Sequence, residues 1–142
     1  MATMSKINDF LEQLCHAVHD LDGTHTLKVM LTNVAPVATN SVKLDLTEIA
    51  AGNGYTAGGT AIATVTLSRA SGTTKITLTD VVFTATGGTM ATFQYAVVYN
   101  DTPTTPADPL MCWYDYGSAI ILLVGETFTV DFDATNGWST FA

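Results

Sequence analysis

The sequence predicts an all-β protein: an antiparallel β-sandwich, jelly-roll-like or immunoglobulin-like, of about eight or nine strands with an amphipathic helix at its N-terminus. Three observations carry this expectation. After Gly23 apolar residues recur at every second position, segment after segment, which is the period of a strand buried on one face. Turn-forming residues separate these segments at intervals of roughly ten residues. No helical period recurs between them, so a parallel βαβ architecture is not expected.

The N-terminal segment follows a different period. Ile7, Phe10, Leu11, Leu14, Val18 and Leu21 are spaced by three and four, as on one face of a helix. Ser5 stands where an N-cap belongs, and Asp9 and Glu12 suit the positive end of the helix dipole. The spacing predicts three to four turns ending near His19 or Asp20, with the stop at Asp20–Thr24. Residues 1–22 therefore read as a helical arm and residues 23–142 as the sandwich domain.

The strands follow in order. Leu27, Val29 and Leu31 alternate with Lys28, Met30 and Thr32; a loop with Pro36 follows, and Leu44–Ile49 alternates again. Gly52–Gly59 is too rich in turn residues for a regular element, and its glycines read as backbone positions needing positive φ. Ile62–Ala70 and Thr74–Ala85 read as strands joined at Ser71-Gly72, the second with a bulge near Asp80. Gly87-Gly88 turns the chain into a strand with Phe93, Tyr95, Val97 and Tyr99 on one face. Asn100–Pro109 is a Pro-rich excursion, held extended by its X-Pro steps. Leu110–Tyr116, Ala119–Leu123 and Thr127–Phe132 follow, and a turn at Asn136-Gly137 leads into a terminal strand, Trp138–Ala142.

Composition narrows the function. The chain has 142 residues, with 13 acidic and 5 basic side chains and a net charge of −8. That balance opposes nucleic-acid binding, which needs Lys and Arg against phosphate, and docking on anionic membranes. No apolar run approaches the ~20 residues that cross a bilayer, and no secretory signal is expected. Charged residues make up 13% of the chain, about half the usual share. Such a body stays dispersed through its hydroxyls or covers its surface with a partner. Cys15 and Cys112 are too few for a bridge framework and read as two free thiols, although a bridge pinning the N-terminal segment stays open.

Residues that could carry chemistry form weak patterns. His16, His19 and His25 suggest zinc, but the H-x-x-H pair lacks a third ligand at a familiar spacing, His25 lies beyond the helix stop, and the histidines read better as solvent-facing helix residues. Asp131 and Asp133 share a strand face, with Asp115 on another strand. Paired carboxylates serve glycoside cleavage or Ca²⁺ binding, yet a D-x-D on a terminal strand is more simply a solvated face that discourages edge pairing. Gly52–Gly59 lacks the Lys-Ser/Thr ending of a phosphate loop. No nucleophile elbow or nucleophilic cysteine pattern occurs. The expectation is no catalytic residues, no cofactor and no metal. The aromatics Trp113, Tyr114 and Tyr116, with Tyr95 and Tyr99, read as core, subunit interface or sugar platform.

Several segments together carry a resemblance. They are "KINDFLEQLCHAVHDLDGTHTLKVMLTNVAP", "DLTEIAAGNGYTAGGT", "FQYAVVYNDTPTTPADPLMCWYDYG" and "GETFTVDFDATNGWSTFA". Across nearly the whole chain they resemble small structural proteins of tailed bacteriophages, in particular head decoration (cement) proteins. The resemblance implies a non-enzymatic virion protein, assembled in the host cytoplasm, that sits on the capsid exterior and bridges major capsid protein subunits. It also fits self-association as a dimer or trimer. The interface residues expected on this reading are Ile7, Phe10, Leu11 and Leu14 on the helix, Pro103, Pro106 and Pro109 in the loop, and Trp113, Tyr114 and Tyr116 beside it. The alternative is a receptor- or carbohydrate-binding module on a tail or fibre, stacking sugars on Trp113, Tyr114 or Trp138.

Overall fold

A computed structural model describes residues 2–142. Its elements in chain order are β1 (Met4–Lys6), α1 (Asp9–Cys15), β2 (Leu27–Thr32), a 3-10 turn (Lys43–Asp45), β3 (Thr60–Ala61), β4 (Val65–Ala70), β5 (Thr73–Leu78), β6 (Val81–Thr84), β7 (Phe93–Asn100), β8 (Leu110–Ile120), β9 (Thr127–Val130) and β10 (Ser139–Phe141). The chain is mostly β, and every strand pairing is antiparallel, an arrangement consistent with an all-β sandwich. A five-stranded sheet has the order β1-β8-β7-β2-β3. A three-stranded sheet, β10-β5-β4, and a two-stranded one, β6-β9, complete the strands. Three pairings are nested in the sequence: β7 with β8, β6 with β9 around them, and β5 with β10 outside both.

The core follows from the strand period. Leu27, Val29 and Leu31 of β2 lie opposite Asn100, Val98 and Ala96 of β7, and Cys112 and Tyr114 of β8 continue that row. Ile76 and Leu78 of β5, Val81 and Phe83 of β6 and Val130 of β9 are buried in the same core. Aromatic edges join the layers: Tyr114 meets Phe132 at 5.9 Å between ring centroids, and Phe93 meets Phe128 at 4.9 Å. A register shift between Phe93 and Tyr95 brings Phe93 to Phe128 although Tyr95 keeps its place in the ladder.

The N-terminal segment is built into this body instead of standing off as an arm. Met4–Lys6 is a strand paired with Cys112–Tyr114 of β8, so Ser5 is a ladder residue opposite Trp113 and not an N-cap. The helix is shorter than expected. It starts after Asn8 without a side-chain cap and ends at Cys15, where Ala17 takes a positive φ of 59°. Its stop therefore precedes the Asp20–Thr24 turn.

Four other expectations change. Thr74–Ala85 is not one bulged strand: it divides at Thr79-Asp80 into β5 and β6, which belong to different sheets. Leu44–Ile49 is not a strand: the Asp45 carboxylate accepts the N–H groups of Ser41 and Val42, which coils the chain into the 3-10 turn and leaves Leu44 outside. Ala119–Leu123 is not a separate strand. β8 runs on to Ile120 through an irregular stretch where Gly117 has φ 79° and donates its N–H to Asp115. The strand Thr127–Phe132 stops at Val130, and Asp80 accepts the Phe132 N–H where the chain passes from β5 to β6. Among the described residues the total is ten strands.

Candidate interaction surfaces

Polar side chains around the 46–59 connection bond within the chain itself, and Glu48, which sequence reading did not single out, is the clearest case. Its carboxylate accepts the Tyr55 hydroxyl at 2.6 Å and the Gly58 N–H at 2.5 Å, and pairs with Lys43 at 3.7 Å. Tyr55 in turn accepts the Leu31 N–H, and Tyr99 donates to the Gly58 carbonyl at 2.7 Å. Lys43 lies 5.3 Å from the Tyr99 ring centre, and Lys28 pairs with Asp101 at 2.8 Å. The network ties the 46–59 connection to β2 and β7. Burial, reinforced by the Glu48 carboxylate for Tyr55 and by Asp101 for Tyr99, holds both phenols above their ordinary range. They are neutral hydrogen-bonding groups. The glycines of this stretch take positive φ, and a Cβ on Gly59 would overlap the Val29 carbonyl.

The histidines behave differently from expectation. His16 is exposed, but His19 is buried and packs on Phe10 at 5.3 Å. The Asn100 amide reaches Nδ1 of both His19 (3.2 Å) and His25 (3.0 Å), and His19 Nε2 has no hydrogen-bond partner. Desolvation, then the neighbouring His25, lowers the His19 pKa to about 4, against a partial lift from Asp9. Among the described residues no group of three or more His, Cys, Asp or Glu converges for a metal ion. Asp133 accepts the N–H groups of Thr135 and Asn136 and so shapes the terminal turn, while Asp131 is exposed. Both cysteines are free. Cys15 is exposed, and burial pushes the Cys112 thiol up to about 12.

Several expected interface residues lie inside the body. Ile7, Phe10 and Tyr114 belong to the core, and Pro109 is buried where it bridges Val42. Of the apolar stripe on the helix, Phe10 is consumed internally, edge-on against Trp138 at 5.7 Å. Leu14, Pro103, Pro106, Trp113 and Tyr116 are half-buried, and Tyr116 packs on Phe128 at 4.7 Å. Leu11 alone of the set is exposed, at the rim of a shallow apolar groove lined by Met4, Phe10, Trp138 and Phe141.

The six most exposed large apolar residues are elsewhere. Val34, Val37 and Leu44 stand on the connection after β2, with Leu44 91% exposed. Ile121, Leu123 and Val124 stand on the connection between β8 and β9, with Val124 64% exposed. Both connections are ordered by hydrogen bonds. Asn40 accepts the Val37 N–H, and Glu126 accepts the Leu123 N–H at 2.7 Å. Sequence reading missed these residues because the first set lay in segments assigned to loop or strand, and the second continued what read as a strand.

No family model, curated protein or solved structure matches this chain. Among the described residues no helix is long and apolar enough to cross a membrane.

Proposed function

We propose that this chain is a non-enzymatic virion structural protein that decorates a tailed-phage capsid and bridges major capsid protein subunits from the capsid exterior. The observation that carries the reading is the placement of Leu44 and Val124, large apolar side chains held out on ordered connections of a weakly charged body. The resemblance in the sequence supplies the kind of assembly. Many modest contacts suit a repeating lattice, where each copy engages neighbouring subunits and avidity does the rest. No cofactor or metal is needed for such a role, and neither nucleic acid nor membrane fits the charge of −8. The nested pairing of β5–β10, β6–β9 and β7–β8 supports a jelly-roll-like sandwich over an immunoglobulin-like one, since a folded antiparallel ribbon produces that nesting.

The receptor-binding alternative is less well supported. Two of its three sugar platforms, Tyr114 and Trp138, are 5% and 6% exposed.

The test is co-sedimentation with particles that lack the protein, using Leu44→Asp and Val124→Asp. Each replacement is expected to change folding stability by less than about 0.5 kcal/mol, as surface substitutions do, and to weaken particle binding at least tenfold. Wild-type occupancy by both variants would overturn the proposal.

A further inference from the structure

Sheet edges are usually short, charged or covered, because an open edge is a template for another strand. Here β1 and β10 have three residues each, β3 has two, and β6 and β9 have four. The six-residue strand β4 is the exception. It ends its sheet, five of its six residues are exposed, it carries no Pro, and its one charged side chain is Arg69 near its end.

The phase of its free hydrogen-bonding groups can be read directly. Ser71 and Gly72 have φ of 50° and 86°, the signature of a two-residue hairpin turn, so Ala70 and Thr73 close the hairpin as a hydrogen-bonded pair. Hydrogen-bonded pairs then recur at Ser68–Lys75 and Thr66–Thr77. The Thr79 N–H donating to the Thr64 carbonyl at 3.1 Å has the same phase. Val65, Leu67 and Arg69 therefore direct their N–H and C=O groups away from β5.

We infer that β4 is a self-pairing edge: two copies of the chain join antiparallel through Val65–Arg69, with Leu67 of one copy opposite Leu67 of the other. In this register Val65 faces Arg69 of the second copy. The Leu67 N–H and C=O find partners, as does the Val65 N–H at the Arg69 carbonyl, whereas the Val65 carbonyl stands beside Gly23, where a Cβ would lie 3.2 Å away, so its bond to the Arg69 N–H is the weakest of the match. Leu67 is the apolar centre of the match. It pairs with the core residue Ile76, so its side chain lies on the core side of the sheet, yet it is 43% exposed at the margin. Its counterpart covers it. Charge permits the same arrangement. No acidic residue occurs between Glu48 and Asp80, so this hairpin lacks the carboxylates that give the chain its net charge of −8. The two Arg69 side chains stand four residue steps apart, about 14 Å, beyond the ~8 Å screening length at physiological salt. One strand pair is smaller than the ~1,200 Å² of a stable dimer, so the association is weak. The inference concerns the free chain and stands apart from the capsid reading.

Sedimentation velocity on the full chain, from about 10 µM to 1 mM to cover such a weak interface, tests it. The wild type is expected to move from monomer to dimer across that range. Leu67→Lys sets two ammonium groups opposite one another and is expected to raise the dissociation constant at least tenfold, with an unchanged near-UV circular dichroism spectrum. In a Cys15→Ser background, oxidation is expected to cross-link Leu67→Cys and not Ala70→Cys, whose counterparts lie about 20 Å apart. A chain that stays monomeric throughout, association unaffected by Leu67→Lys, or equal cross-linking at both positions would overturn the inference. The last two results would direct attention to another surface, or to a strand of a different protein as the occupant.

Discussion

Strands β7 and β4 show what two similar stretches of chain are used for. β7 has eight residues, is paired on both edges and is buried over Ala96–Asn100 on both faces. β4 has six, is paired on one edge and is almost wholly exposed. Both alternate, but the side chains differ. β7 reads Phe-Gln-Tyr-Ala-Val-Val-Tyr-Asn, whereas β4 reads Val-Thr-Leu-Ser-Arg-Ala. A strand of large apolar residues organises the interior, because burial removes ~25 cal/mol per Å² of apolar surface from water. A strand of hydroxyls around one leucine adds little to the fold and remains available for association.

The strongest way to break the comparison is a backbone change beside β2, the partner of β7. Gly59→Ala forces a Cβ into the Val29 carbonyl at a φ of 77° and is expected to cost on the order of 5 kcal/mol, enough to unfold a typical domain. Gly72→Ala, in the β4–β5 turn, meets no atom within 4 Å and is expected to cost only about 1 kcal/mol from its positive φ. Denaturant midpoints separate the two. Side-chain truncation comes next. Phe93→Ala in β7 should lose about 3–5 kcal/mol and Leu67→Ala in β4 less than about 1 kcal/mol, read from the same unfolding curves.

Acid provides a smaller test on the β7 side, through His19. The folded chain holds His19 neutral down to about 4, mainly by desolvation, while the unfolded imidazole takes its proton near 6.5. Between those values the unfolded state binds more protons. This contribution is thus complete above about 6.5, falls as pH drops through the window and flattens below about 4. Its full size is on the order of 3 kcal/mol. His25, Asn100, Phe10 and Asp9 are the groups that surround the ring. His19→Gln is expected to flatten the pH dependence of stability between 4 and 6.5. An unchanged slope would contradict the burial of His19.

Side-chain alternation made the middle of the fold legible. Leu27–Thr32, Phe93–Tyr99 and the hairpin around Ser71-Gly72 are strands because each pairs with a neighbour of matching period. Elsewhere a local bond outcompeted the pattern. Asp45 coils Leu44–Leu46 despite their strand-like alternation, and the pairing of Met4–Lys6 with β8 depends on a partner more than a hundred residues away, which no local window contains. The interface residues were legible only in part for the same reason. Apolar stripes announce that something will cover them, and for Ile7 and Phe10 the cover is the chain's own body. Of the residues left without cover, Leu44 belongs to a strand-like stripe that the Asp45 turn breaks, and Val124 belongs to none.

Residue-resolved hydrogen exchange on the free chain, at low and high protein concentration, tests the division of labour most directly. The account predicts slow exchange along Ala96–Val98 at both concentrations. Along β4 it predicts a two-residue rhythm at low concentration, with Thr66, Ser68 and Ala70 protected through β5 and Val65, Leu67 and Arg69 open, the open amides becoming protected at high concentration. Uniform protection along β4 at all concentrations, or exchange in β7 as fast as in β4, would contradict it.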